Sequence, residues 1–214
     1  MKLTHPVLIA LFAGGLAAAA TFFLSAGAQD GPDMAPTVSF ESAVFAGGCF
    51  WCVESDFDKI DGVIETISGY SGGETIDPTY KNHARNEHLE VVKVIYDPAK
   101  VEYSELVDYF LRHIDPTDAG GQFCDRGNSY TSAIFVDGNA QRETVEAAYA
   151  QITDNNLLSN PIVTPIRDEA PFYAAEDYHQ DYYTKNAVRY NFYRKGCGRD
   201  KRIKAVWSAE GHSY

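Results

Sequence analysis

The chain predicts an α+β fold: a two-layer sandwich with a mixed sheet, helices packed on it, and long loops around a site. Three observations point there. Leu89 to Tyr96 alternates and is rich in Val and Ile, as strands are. Ser104 to Ile114 sets Leu106, Val107, Phe110 and Leu111 at helical spacing. Turn-rich stretches at 69–80 and 115–130 are longer than ordinary connections in a compact domain, and such loops often carry function.

Residues 1–28 read as a signal peptide. Lys2 makes the start positive, 7–24 is nearly continuously apolar, and Ala26-Gly27-Ala28 has the small-x-small form of a cleavage site. An uncleaved N-terminal anchor is the alternative. Either way the folded part is expected to be exported, periplasmic or tethered facing the periplasm. Residues 29–40 read as a flexible leader, and 41–214 as one domain with a C-terminal tail.

The formal net charge is −12, which argues against nucleic acid and anionic membrane surfaces as partners. A hydrophobic content of 45% and an aromatic content of 13% are enough for a packed core. No phosphate-binding glycine motif or metal-ligand cluster stands out, so no bound cofactor or metal is expected. Nothing signals an oligomer, and a monomer is expected.

In chain order, Glu41 to Phe45 is a short strand, and Gly47-Gly48 allows a sharp turn into a helix that includes Val53 to Phe57 and ends before Gly62. Val63 to Ser68 is a strand. Ser104 is a plausible cap for the following helix. Ser132 to Val136 is a strand, Ala140 to Ile152 a surface helix, and Ile162 to Ile166 a last short strand. From Ala174 the chain is aromatic and charged, an irregular or helical tail through Cys197.

Cys49-Phe50-Trp51-Cys52 is the stretch richest in chemistry. Cys49 falls at a helix N-terminus, where unpaired N–H groups and the helix dipole favour the nucleophilic thiolate. Cys52, one turn on, can meet it in a C-x-x-C disulfide. Half a zinc site is the competing reading, but the remaining cysteines, Cys124 and Cys197, form no second pair at similar spacing. Two structural disulfides are another. Phe50 and Trp51 add an apolar surface and Glu54 a carboxyl. Asp177 and His179, taken alone, are more often a surface pair than catalytic groups, and any single tyrosine among fourteen is weak evidence.

Taken together these residues resemble the methionine sulfoxide reductase A family. The motifs are Gly48-Cys49-Phe50-Trp51-x-x-Glu54, Gly69-Tyr70-Ser71-Gly72-Gly73, Asp77-Pro78-Thr79-Tyr80, His88-x-Glu90, Tyr96-Asp97-Pro98, Asp115-Pro116-Thr117 and the run from Phe172 to Gln180, all in family order. The resemblance implies an enzyme reducing the S-epimer of methionine sulfoxide, free or in oxidised proteins. Cys49 would be the nucleophile, Glu54 the acid that protonates the departing oxygen, and Tyr80 and Tyr130 donors to that oxygen. Phe50 and Trp51 would hold the methyl group, with Glu90, Asp125, Asp177 and His179 as further substrate-binding residues. Cys49 would be left as a sulfenic acid, resolved by Cys52 or alternatively by Cys197, with Cys124 structural or idle. A thioredoxin-like protein would reduce the resulting disulfide. The chain departs from the family in carrying Cys52 where a small residue is usual, and Ser129 and Thr131 where Gln and Arg usually flank the tyrosine. A thiol–disulfide exchange protein using the C-x-x-C pair is the alternative reading; it has no use for Glu54, Tyr80 or Tyr130.

Overall fold

The computed structural model describes residues 39–208; the expected signal peptide and most of the leader lie outside them. Among them, eight strands and six α-helices run in the order β1 (Glu41–Gly47), α1 (Phe50–Phe57), β2 (Val63–Ser71), β3 (Leu89–Tyr96), α2 (Tyr103–Arg112), β4 (Gly121–Gln122), β5 (Asp125–Arg126), β6 (Ser132–Val136), α3 (Gly138–Asp154), β7 (Ile166–Asp168), β8 (Tyr173–Ala174), α4 (Tyr182–Lys185), α5 (Ala187–Cys197) and α6 (Arg199–Trp207). Six strands form one mixed sheet in the order β7-β6-β1-β3-β2-β8, and β4 and β5 make a separate hairpin. Among the described residues only the β6–β7 pair is parallel. The α+β expectation holds. No helix among the described residues is long and apolar enough to cross a membrane.

Alternation along β3 sends Val92, Val94 and Tyr96 to one face, where they join Phe45 of β1 and Ile134 of β6 under Phe57, Leu106, Phe110 and Val145 of the helices. The opposite face holds a smaller cluster of Ala46, Leu89, Val91, Ala133 and Phe135. Both faces of the central strands are therefore covered, which positions their ends rigidly.

Several boundaries differ from the sequence reading. The cap of α2 is Glu102, which exchanges hydrogen bonds with Glu105 in a capping box; Ser104 lies inside the helix and donates to Glu102. Pairing with β6 begins at Ile166, where the strand was expected to end. Pro161 and Pro165 lack the N–H that a ladder needs, so 162–165 forms no strand, although the Pro165 carbonyl accepts from the Ile134 N–H and the Val163 N–H donates to the Pro116 carbonyl. The tail is helical, as α4, α5 and α6.

Candidate active site

Strand direction assembles the site. β1 runs antiparallel to β3 and β6, and β2 antiparallel to β3, so β1 and β2 end where β3 and β6 begin. Cys49 follows β1, Tyr70 closes β2, Glu90 opens β3 and Tyr130 precedes β6. Residues far apart in sequence thus meet at one end of the central strands.

The turn into α1 is shaped by crowding as much as by flexibility. Gly48 has φ +83°, and a Cβ there would lie 2.6 Å from Cβ of Gln122. A Cβ on Gly47 would come within 2.9 Å of both Phe110 and Val53. The carbonyl of Gly47 accepts from the buried guanidinium of Arg199 at 3.2 Å.

Cys49 occupies the N-cap of α1 and is 6% exposed. The helix N-terminus was expected to favour its thiolate; the structure reverses that. Burial pushes the thiol well up, and Cys52 and the Glu90 carboxyl push the same way. Cys52 moves down instead, because the Cys49 thiol donates to it and the guanidinium groups of Arg199 and Arg194 lie nearby. Both sulfurs are free.

Glu90, also buried, is pushed up to about 8 by burial, against the opposing donation from the backbone N–H of Phe50 at 3.0 Å. The Tyr130 hydroxyl neighbours the Glu90 carboxyl, and the Tyr80 and Tyr130 hydroxyls neighbour each other. Burial raises both phenols. His83 Nε2 lies 3.8 Å from Glu90 Oε1, and burial keeps that imidazole neutral by lowering it. The result is a neutral acid with two phenol donors beside a thiol.

Aromatic rings wall the remaining side. Trp51 stacks on Tyr182 at 3.7 Å and donates from Nε1 to Nδ1 of His179 at 3.1 Å. Phe50 packs on His179 at 5.0 Å, and Tyr80, half-exposed at the rim, lies 4.5 Å from the same imidazole. Glu176 accepts from the Tyr80 backbone N–H and the Tyr70 hydroxyl, tying the rim to the sheet.

Three expected roles move. Glu54 is buried with neither carboxylate oxygen hydrogen-bonded, and burial raises it to about 7. Its charged neighbours, however, are Asp58 and Asp181. Five residues along a helix turn a side chain by about 140° net, so Glu54 cannot share a face with Cys49. Asp177 is exposed and lines a separate acidic groove with Asp58, Glu65 and Asp181. Cys197 is bonded to Cys124, so it does not stand free as a rival to Cys52, and Cys124 takes the structural of its two expected roles. Phe50, Trp51, Tyr80, Tyr130, Glu90, Asp125, His179 and Cys52 do converge around Cys49.

Sequence reasoning missed Tyr193, Arg194 and Arg199. The Tyr193 hydroxyl donates to Asp125 Oδ2 and lies within hydrogen-bonding reach of Cys49. Arg194 Nη1 holds buried Asp56 at 2.9 Å, one turn beyond Cys52. No signal in a polar tail marks these residues. Among the described residues, Cys124, Asp125 and Cys197 alone bring three ligand-type side chains together, and the sulfurs there are bonded to each other.

The family model described as peptide methionine sulfoxide reductase matches residues 41–211. The peptide methionine sulfoxide reductase MsrA 2 of Rhizobium meliloti is 50% identical over 171 residues, covering 80% of this chain and 85% of that protein. Among solved structures, methionine sulfoxide reductase A of Corynebacterium diphtheriae superposes with a TM-score of 0.59 at 33% identity, covering 70% of this chain and 76% of its own. Mxr1 from Saccharomyces cerevisiae in reduced form gives a TM-score of 0.64 at 29% identity, covering 71% and 88% respectively.

Proposed function

We propose, from the premise that this chain belongs to the peptide methionine sulfoxide reductase family, that it is an exported monomer reducing methionine S-sulfoxide, protein-bound or free, to methionine. The observation that carries the reading is the meeting of Cys49 with a neutral Glu90 and the Tyr80–Tyr130 hydroxyl pair.

Sulfoxide oxygen leaves only once protonated. The Cys49 sulfur attacks the sulfoxide sulfur while Glu90 supplies a proton to its oxygen, and Tyr80 and Tyr130 donate to the charge that develops there. Glu90 is suited to this because burial keeps its proton on at neutral pH. Phe50 and Trp51 take the methyl group. The protonated oxygen passes from the methionine sulfur to the Cys49 sulfur as the bond between the two sulfurs breaks, so methionine departs as the thioether and Cys49 is left as a sulfenic acid.

Cys52 then attacks that sulfur, water leaves, and a Cys49–Cys52 disulfide forms. Two electrons have passed from the dithiol to the sulfoxide. Cys52 is favoured as the resolving thiol because it sits one turn away and Arg194 and Arg199 stabilise its thiolate. A thioredoxin-like dithiol protein outside the cytoplasm restores the pair, and no bound cofactor enters. Export rests on Lys2, the apolar run 7–24 and Ala26-Gly27-Ala28.

The test is turnover of the separated S- and R-epimers of a methyl sulfoxide with a dithiol reductant. S-selective activity abolished by Cys49→Ser supports the reading. Disulfide exchange activity that survives Glu90→Gln, without sulfoxide turnover, would favour the thiol–disulfide exchange alternative.

A further inference from the structure

Tyr193 enters the site from α5, with its ring edge-on to Trp51 at 6.1 Å. Its hydroxyl donates to Asp125 Oδ2 and neighbours the Cys49 thiol, so it stands between an acid and the nucleophile. Asp125 and Tyr193 are both flanked by one covalent link. Cys124, beside Asp125, is bonded to Cys197, four residues past Tyr193 at the end of α5. The two bonded sulfurs each lie 3.9 Å from a carboxylate oxygen of Asp125.

We propose that Tyr193 relays the proton of the Cys49 thiol to Asp125, with the Cys124–Cys197 disulfide holding the two relay residues in register. The proposal rests on Cys49 being the nucleophile. For the transfer the Cys49 S–H turns from Cys52 to the phenol oxygen, while the phenol proton faces the carboxylate. On activation the S–H bond breaks and its proton binds the phenol oxygen, while the original phenol proton passes to Oδ2. A thiolate is left accepting from the phenol, and a neutral carboxyl donates to that phenol in turn.

The step brings no new charge into a closed site. One anion moves from oxygen to sulfur, whereas simple ionisation of buried Cys49 would add a second anion. Asp125 suits the acceptor role because burial raises it from the ordinary carboxylate range. The Tyr193 phenol is raised far by burial, so it passes the proton without holding the charge. The other groups facing Cys49 are Cys52 on α1, Glu90 on β3, Tyr80 from the loop after β2 and Tyr130 before β6. Cys52 is the competing acceptor, and a Cys52→Ser background removes it.

In that background, alkylation of Cys49 by iodoacetamide is followed against pH by mass spectrometry of its peptide. Tyr193→Phe keeps the ring on Trp51, and Asp125→Asn keeps the shape of the acceptor. Each is expected to slow alkylation at neutral pH about ten-fold, moving the inflection up about one unit, on the scale of one hydrogen bond to a charged group. The double variant is expected to go no further, since both residues serve one chain. Unchanged profiles, or shifts that add, overturn the relay. Replacing Cys124 and Cys197 with Ser should shift the profile only while Tyr193 is present; an equal shift in the Tyr193→Phe protein overturns the part given to the disulfide. Alkylation needs no sulfoxide turnover. A Cys49→Ser protein still active on methyl sulfoxides would sink the functional reading and leave the relay to be judged by these profiles.

Discussion

The backbone N–H of Phe50 donates to Glu90 Oε2 at 3.0 Å, linking the first turn of α1 to the first residues of β3. It fixes a carboxyl forty residues away in sequence beside the cysteine that begins the helix. Glu90→Gln preserves the shape and the acceptor but has no proton to give. It is expected to lower kcat by about a hundred-fold or more, with KM for a methyl sulfoxide little changed. Glu54→Gln is expected to leave kcat within about two-fold, because it faces Asp58 and Asp181. Steady-state kinetics on both variants decide between the two carboxyls.

The pH profile follows from the same group. Glu90 must be protonated to act, and its carboxyl lies at about 8. Single-turnover rates should therefore hold through neutrality and fall as pH rises through about 8. A profile that instead rises steadily to pH 10 would rule out an acid at this position.

Resolution is read by mass. One equivalent of sulfoxide without reductant should leave wild-type protein with a Cys49–Cys52 disulfide. Cys52→Ser should carry one added oxygen on Cys49, and Cys197→Ser should still form the Cys49–Cys52 bond. A Cys49–Cys197 bond in wild type would overturn the assignment.

Stability carries a signature of Glu54. Its folded carboxyl, at about 7, lies above the ordinary value of 4.5, so the folded state binds the proton more tightly than the unfolded chain. That contribution is complete below about 4.5 and is lost as pH rises through about 7. Denaturant titrations should find Glu54→Gln more stable than wild type at pH 8, with a smaller gain at pH 5. Equal gains at both would contradict the burial argument.

Arg199 is expected to matter more than its surface-like composition suggests. It is 2% exposed, donates to the carbonyls of Gly47 and His113, sits over Phe123 at 4.5 Å and faces buried Asp56. Removing it strands Asp56 with less compensation, so Arg199→Ala should cost about 3 kcal/mol or more in thermal or urea unfolding.

Local patterns were legible in the sequence wherever neighbours along the chain decide the outcome. Alternation in 89–96 marks β3, and the motif around Cys49 marks the turn between a strand and a helix. Roles set by strand pairing were harder. Glu54 is near Cys49 along the chain, yet helical twist carries it away, while antiparallel pairing of β1 with β3 brings Glu90 in. Tyr193 carries no marker among fourteen tyrosines. The Cys124–Cys197 pairing spans 73 residues and depends on where α5 is laid down, which local spacing does not encode.

That bond has a bearing on lifetime as well as chemistry. It closes a long loop, so it restrains the denatured chain in addition to fastening α5. Where reductants are strong enough to open it, α5 loses that fastening, while α6 stays docked through buried Arg199, Ile203 and Trp207. The redox poise of the surroundings thereby bears on how firmly α5 is held.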